Sequence, residues 1–168
     1  MKIDKNLTSV FDLALKHTPV AKKNLKEGWH RHSILSEING FDNIGIELGV
    51  AKATYSRRML DSGKFLRYYG VDLYGDIHDT NEYKNALNTV NFKAPIYCLL
   101  RMDFENALDL FDDEYFDFIY VDGYAHTGEE GGKTIIDWYK KLKIGGILAG
   151  DDYHEDWPLV ILGVNHFV

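Results

Sequence analysis

The amino-acid sequence predicts an α/β domain built on a mostly parallel sheet, and three observations support that fold class. Five short apolar segments follow one another between residues 43 and 152. Segments with helical features lie between them, so predicted strands and helices alternate along the chain. The apolar segments are nearly continuous, which is typical of parallel strands buried on both faces. Such an alternation implies right-handed crossovers, with helices on both sides of the sheet.

A helical segment is predicted ahead of the sheet, over residues 1–42. Residues 7–17, LTSVFDLALKH, have apolar side chains at helical spacing. Residues 32–38, HSILSEI, form a shorter amphipathic piece, and Gly40 provides its stop signal. We therefore expect helical structure to lead into the first strand.

The predicted strands carry most of the apolar core. They are NIGIELGV (43–50), FLRYYGVDLY (65–74), APIYCLL (94–100), YFDFIYVDG (115–123) and GGILAGDD (145–152). Cys98, the only cysteine, lies in the third of them, where we expect a buried small side chain. Because there is only one cysteine, no disulfide can form within the chain.

The predicted helices fill the intervals between the strands. The first, TYSRRMLDSG, begins at a possible cap, Thr54, and stops at Gly63. Two short ones follow, NEYKNALNTV and ENALDLF, and the last is TGEEGGKTIIDWYKKLK with the capping-box pair Thr127 and Glu130. A short helix is expected over residues 154–168. The chain is read as one domain, 1–168, with its core over 43–153.

Composition and charge exclude several classes of protein. The net charge of −7 disfavours non-specific nucleic-acid binding, and no basic stripe reverses it. The first residues carry acids too early for a signal peptide, and the apolar runs are too short to cross a bilayer. We expect a cytoplasmic protein without nucleic-acid or membrane partners.

Acidic residues end every predicted strand. They are Glu47, Asp72, Asp103, Asp122 and the adjacent pair Asp151 and Asp152. An acid in this position often caps the next helix, which is the ordinary structural explanation for any one of them. Ligands of open parallel sheets, however, bind beyond the carboxyl ends of the strands. Five acidic strand ends at one rim therefore predict a ligand site there.

The turn after the first strand has small residues that suit a nucleotide. Gly49, Ala51 and Ala53 would let the backbone approach a ligand, although the G-x-G-x-x-G pattern is absent. Asp72 follows Glu47 by 25 residues, near the interval of roughly 20 at which an acid binds ribose hydroxyls. Together they indicate nucleotide binding more strongly than either does alone.

Four motifs resemble one family. The motifs ELG, GVDL, YVDGYAH and LKIGGILAGDDY, within residues 43–153, are similar to those of class I S-adenosylmethionine-dependent methyltransferases, particularly a small bacterial group. The resemblance implies a Rossmann-like, three-layer α/β/α fold with strand order 3-2-1-4-5. The family's fold has two further strands, and we expect this sequence to have no room for them. The glycine-rich turn also has alanines where the family pattern has more glycines.

The resemblance also implies residues for the cofactor S-adenosylmethionine. It assigns contacts to Glu47, Gly49, Ala51, Asp72, Leu73, Met102, Asp103, Phe104 and Asp122. Glu47 and Gly49 would lie beside the methionine part, and Asp72 would hold the ribose. Asp103 would lie near the adenine amino group, with a neighbouring apolar side chain packed on the ring.

The sequence also resembles metal-dependent O-methyltransferases in the acids that follow its fourth and fifth strands. They bind Mg²⁺ with an acid after the fourth strand and two residues after the fifth, and this sequence has Asp122, Asp151 and Asp152 there. Mg²⁺ prefers carboxylate oxygens and would stabilise an acceptor alkoxide. The alternative is that Asp151 caps the following loop and Asp152 faces solvent.

We predict Asp122 and His126 as catalytic residues, with His126 as the general base because a DG-x-x-H stretch recurs in the resembling group. His154 is the other histidine near the acids. The predicted reaction is O-methylation of a small-molecule hydroxyl, of a sugar or natural-product type. A non-catalytic binding module and a nicotinamide-dependent oxidoreductase remain alternatives. The exposed edge of the fifth strand predicts a homo-oligomer that covers it.

Overall fold

The computed structural model describes residues 30–75, 77–92, 95–122 and 131–168. The helix predicted over 7–17 and the capping box at Thr127 lie outside these ranges. Five strands form one sheet: β1 (Asn43–Leu48), β2 (Phe65–Asp72), β3 (Tyr97–Arg101), β4 (Phe116–Val121) and β5 (Leu142–Gly150).

All four strand pairings are parallel, and the strand order is β3-β2-β1-β4-β5. The predicted fold class and strand order are therefore confirmed. In the centre, Leu48 of β1 pairs with Val71 of β2 on one side and with Val121 of β4 on the other. Strands β2 and β3 are added on one side of β1, and β4 and β5 on the other. The position between β1 and β4 is therefore the topological switch point, where ligands of such sheets bind.

The helices connect the strands and lie on both faces. They are a 3₁₀ helix (Arg31–Ser36), α1 (Thr54–Asp61), α2 (Thr80–Thr89), α3 (Phe104–Leu108), α4 (Lys133–Tyr139) and α5 (Pro158–Phe167). No helix in the described ranges is long and apolar enough to cross a membrane.

Two apolar clusters cover the two faces of the sheet. On one face, Tyr68 and Phe118 pack with Met59 of α1. On the other, Ile119 packs in one cluster with Ala107 of α3 and Trp138 of α4. The two faces follow from the period of two along each strand, which sends successive side chains to opposite sides. The result is a three-layer α/β/α arrangement.

Several local predictions need correction. Helix α1 is preceded by Ala53 as its N-cap residue, in a left-handed conformation with φ of 58°, so Thr54 is its first residue and not its cap. Helix α4 ends at Tyr139, and Leu142 belongs to β5. Tertiary pairing explains the second difference, because Leu142 is paired with Phe116 of β4.

Cys98 is a further correction, since its side chain is exposed and not buried. It lies on β3, which pairs only with β2 and forms one edge of the described sheet. An apolar sequence run predicts a buried strand, but an edge strand receives less cover from neighbouring helices than a central one.

Candidate active site

The carboxyl ends of β1 and β4 define the candidate site. The backbone N–H of Asp122 donates to the carbonyl of Leu48 at 2.8 Å, and that of Gly49 donates to Val71 at 2.9 Å. These bonds continue the parallel ladders past the last strand residues. They bring the turn after β1 and the acid after β4 to the same rim.

The turn after β1 has an unusual backbone conformation. Gly49 has φ of 94°, Ala51 of 47° and Ala53 of 58°, so three of five consecutive residues have positive φ. Positive φ favours glycine and strains an alanine, so this turn retains two strained residues. Such conformations cluster at ligand sites, and small side chains leave the backbone open to a ligand.

The carboxylate of Asp72 holds this turn in place. One of its oxygens, Oδ2, accepts the backbone N–H groups of Val50 and Ala51, both at 2.9 Å. Its other oxygen, Oδ1, accepts the N–H of Tyr74 at 3.0 Å. His78 lies beside it, with Nδ1 at 3.4 Å from Oδ2. Asp72 therefore joins the end of β2 to the turn.

Tyr74 supports the same turn from the other side. Its hydroxyl donates to the carbonyl of Ala51 at 2.7 Å, and its ring is fully buried. Its own backbone has φ of 46°, and its carbonyl accepts from Arg101 of β3 at 2.6 Å. Hydrogen bonds therefore fix the strained turn at the carbonyl of Ala51 and at the N–H groups of Val50 and Ala51.

Glu47 lies inside the protein and not at the open rim. Its side chain is 1% exposed and accepts the hydroxyl hydrogen of Ser56 on α1. The hydroxyl of Tyr97 lies 3.0 Å from that of Ser56 and extends the chain of hydrogen bonds. Burial raises the pKa of Glu47 well above its ordinary value, against the lowering effect of the Ser56 bond. Burial therefore favours the neutral form of this carboxyl.

Asp103 caps helix α3. Its Oδ1 accepts the backbone N–H of Asn106 at 2.7 Å, and its Oδ2 accepts the Asn106 side-chain amide at 2.6 Å. These bonds hold the pKa of Asp103 below its usual value. Phe104 is buried in the apolar cluster of the second face, and Met102 packs against that cluster. Leu73, at the rim, is 44% exposed.

The acids after β4 and β5 converge on one cation. Asp122 and Asp151 follow the paired residues Val121 and Gly150, so they are neighbours. Arg31, the first residue of the 3₁₀ helix, donates through Nη1 to Asp122 and forms an ion pair through Nε with Asp151. A single guanidinium therefore links the ends of two strands.

Asp122 has a strongly altered acidity in this setting. Burial raises its pKa, Arg31 lowers it, and the charges of Asp151 and Asp152 raise it again, which gives a pKa of about 7. Asp152 itself has a left-handed backbone with φ of 59°, and its carbonyl accepts the N–H of His154 at 2.7 Å. Asp122 can therefore exchange a proton near neutral pH.

The geometry at this rim does not form the predicted three-carboxylate metal site. Asp122 and Asp151 converge, but the group between them is the guanidinium of Arg31. Within the described residues, no group of three or more Asp, Glu, His or Cys side chains is arranged to hold a metal ion. A metal ion would have to displace Arg31.

The two candidate histidines differ in position. His126 lies outside the described residues. His154 is mostly exposed, its Nδ1 accepts the backbone N–H of Asp156 at 3.3 Å, and it lies 3.2 Å from the Asp156 carboxylate. These contacts join it to its own loop.

Sequence reasoning missed Arg31 at this rim, and it missed Ser56 and Tyr97, which form the buried hydrogen-bond chain of Glu47. Arg31 lies 91 positions from Asp122, and no periodic pattern connects them. The one available signal was electrostatic, since several acids gathered at one rim require a nearby cation. That signal does not say which of the chain's 19 lysines and arginines supplies it.

A parallel sheet of this order, with a carboxylate-held turn at its switch point, has the Rossmann-like methyltransferase fold. Residues 43–153 match the model of the methyltransferase domain family. That match covers well over half of the chain, so the chain belongs to this family. No curated protein matches the sequence.

Solved structures support the fold at low sequence identity. Spermidine synthase from Thermotoga maritima has 16% identity and a TM-score of 0.58 over 73% of this chain and 43% of its own. A methyltransferase from Geobacter sulfurreducens, solved with S-adenosyl-L-homocysteine, has 14% identity and a TM-score of 0.53 over 88% and 55%. The chain spans only 42% to 49% of three further methyltransferase structures that it matches.

Proposed function

We propose that this chain is an S-adenosylmethionine-dependent methyltransferase that methylates a hydroxyl oxygen of a small molecule, of a sugar or natural-product type. The observation that carries the proposal is Asp122, a largely buried carboxyl at the switch point with a pKa of about 7. A group with that pKa can accept the proton of an acceptor hydroxyl at neutral pH.

The residues around the turn fit the cofactor. The left-handed backbone at Gly49 and Ala51 leaves the turn free of bulky side chains. Asp72 fixes the turn, and its Oδ1, which accepts one N–H group, has a second lone pair that we propose accepts a ribose hydroxyl. When bound, S-adenosylmethionine supplies a methyl group on a positively charged sulfur. The remaining carboxylates of the rim favour such a cation.

The protein's own contribution is alignment and proton transfer. The acceptor hydroxyl has to lie between the cofactor turn and the rim of β4, with its proton directed at a carboxylate oxygen of Asp122. Arg31 keeps that carboxylate in a fixed orientation. His126, the base favoured by the sequence resemblance, remains a second proposal for the same step.

Metal assistance is the alternative form of this reaction. It would use Asp122, Asp151 and Asp152 as ligands of Mg²⁺ and requires Arg31 to release both carboxylates. The test is a thermal melt with millimolar Mg²⁺, Mn²⁺ or Ca²⁺. If a metal raises the melting temperature of the parent, and Asp152→Asn abolishes the rise, this form is correct; an unchanged melt excludes it.

Titration calorimetry tests the main proposal directly. S-adenosylmethionine and S-adenosylhomocysteine should bind, and NAD should not. Binding of NAD alone would favour the oxidoreductase alternative, which lacks its G-x-G-x-x-G turn here. Absence of binding by all three compounds would favour a non-catalytic module and overturn the proposal.

We also propose that a second copy of the chain covers strand β5. This nine-residue strand pairs with β4 on one side and with no other strand in the described ranges. Its Ile144 is 91% exposed. A long edge strand with exposed apolar side chains is a template for pairing with another chain. A cytoplasmic location and the absence of nucleic-acid partners stay predictions from the sequence.

A further inference from the structure

Arg31 occupies the position where the sequence predicts a metal ion. Its Nη1 donates to Asp122 at the end of β4, and its Nε pairs with Asp151 at the end of β5. We propose that Arg31 is the built-in cation of this site, a positioning residue that holds the two carboxylates together in place of a metal ion. The role assigned to Asp122 rests on the proposed function.

The guanidinium group suits this task. Asp122 and Asp151 follow adjacent parallel strands, so their negative charges lie side by side and repel each other. A guanidinium is planar and presents donors along more than one edge, so it can bind two carboxylates at once in fixed directions. Arg31 uses Nη1 for one and Nε for the other. It therefore neutralises one charge and sets the orientation of both.

The same arrangement keeps a divalent cation out. Mg²⁺ and Mn²⁺ need several oxygen ligands close together, and both converging carboxylates already have an oxygen on Arg31. A positively charged guanidinium also repels a second cation at that distance. Entry of a metal would leave Arg31 without its two partners.

The link also makes the 3₁₀ helix part of the site. Arg31 is its first residue and is 91 positions from Asp122, so the contact fixes a distant segment at the strand ends. The Arg31 side chain is about half exposed, at 48%, and has further N–H donors beyond the two in use.

Manganese binding tests the proposal without any knowledge of the acceptor. Mn²⁺ is added to the parent and to Arg31→Gln, and free Mn²⁺ is measured by electron paramagnetic resonance. We expect only weak surface binding by the parent. Arg31→Gln should gain one site that binds Mn²⁺ at least about tenfold more tightly, because two adjacent carboxylates lose their cation. Arg31→Lys, which restores a positive charge, should exclude Mn²⁺ as the parent does.

Two controls assign the new site. The double variant Arg31→Gln with Asp151→Asn should lose it, since one of the carboxylates is gone. Arg57→Gln, which removes an arginine that is 34% exposed and paired with Asp61, should bind Mn²⁺ like the parent. A parent that binds Mn²⁺ as tightly as Arg31→Gln, or an Arg31→Gln protein that gains no site, overturns the proposal.

Calorimetry with S-adenosylmethionine on the same proteins tests the proposed function separately from the role of Arg31. Arg31 bonds the acids of β4 and β5, whereas Asp72 holds the turn after β1, so Arg31→Gln should still bind the cofactor. Failure of the parent to bind the cofactor would overturn the proposed function and leave the manganese result intact. Circular dichroism confirms that each variant is folded.

Discussion

The carboxylate of Asp72 accepts the backbone N–H of Ala51 at 2.9 Å, and so joins the end of β2 to the strained turn after β1. The sequence predicts Asp72 only as a ribose ligand. The contact gives it a second role, because the turn keeps its left-handed residues only while its N–H groups have an acceptor.

Replacement of Asp72 should therefore affect stability and cofactor binding together. Asp72→Ala leaves three N–H groups without an acceptor, two of them buried, and should lower the free energy of unfolding by about 3 kcal/mol. Cofactor affinity should fall by more than about tenfold. Denaturant unfolding and calorimetry measure the two effects.

A matched control is Asp79→Ala. Asp79 also accepts two backbone N–H groups, those of Asn81 and Glu82, but it caps helix α2. Its loss should lower the melting temperature slightly and leave cofactor binding unchanged. Equal loss of cofactor binding in both variants would contradict a specific role for Asp72 in the turn.

The pKa of Asp122 predicts how stability depends on pH. Its folded pKa is about 7, above the unfolded value of roughly 3.9, so the folded state binds an extra proton between those values. The contribution of Asp122 to the free energy of unfolding is fully present below about pH 4 and is lost as the pH rises to about 7. The loss is at most about 4 kcal/mol. The melting temperature of the ligand-free protein should fall over that window.

Asp122→Asn should reduce this slope, as measured by melts at a series of pH values. Glu47 contributes in the same direction, since burial also raises its pKa, so Glu47→Gln should remove a separate part. A parallel pH profile for Asp122→Asn and the parent would show that Asp122 titrates normally and would remove the basis for its role as a base.

Tyr55 carries a buried hydroxyl without a partner among the described residues. Its ring stacks on Tyr120 at 4.3 Å, on the strand that leads to Asp122. An unpaired buried hydroxyl is unfavourable, so Tyr55→Phe should stabilise the ligand-free protein by about 1 kcal/mol. Thermal unfolding measures this.

Tyr68→Phe is the control for Tyr55→Phe. Its hydroxyl is also buried and unpaired, but it lies in the cluster of Phe65 and Tyr97. Tyr68→Phe should stabilise the protein by the same amount as Tyr55→Phe and leave cofactor affinity unchanged. If Tyr55→Phe alone weakens binding, the Tyr55 hydroxyl serves the ligand; if both variants destabilise the protein, the prediction is wrong.

Gly70 tests the buried chain of hydrogen bonds. A Cβ atom there would lie 2.4 Å from the hydroxyl oxygen of Tyr97, which cannot stay in place. Gly70→Ala should destabilise the protein by about 1–3 kcal/mol through overpacking. Tyr97→Phe in the same chain removes the clashing oxygen. A double-mutant cycle should therefore give a clear coupling, and additive effects would contradict it.

The exposed edge of β5 predicts self-association. Light scattering at micromolar concentration should give the mass of a dimer or larger assembly. Ile144→Lys places a charge at an exposed apolar position of this strand and should shift the protein toward monomer. A monomeric parent would contradict the prediction.

Local patterns were sufficient for the architecture. The sequence by itself determined that five strands alternate with helices and that Asp72 and Asp122 come at strand ends. Apolar runs and turn residues are short-range signals, and the rules for parallel sheets convert them into one rim of acids. The family motifs supplied the strand order, which the sheet then confirmed.

Only the tertiary structure decided what each acid contacts. Glu47 points into the protein toward Ser56, Asp72 holds the turn, and Asp122 shares Arg31 with Asp151. These partners lie far apart in sequence or on another element, so no periodicity reports them. A carboxylate's role depends on its burial and on the donors around it, and the folded chain alone brings those donors together.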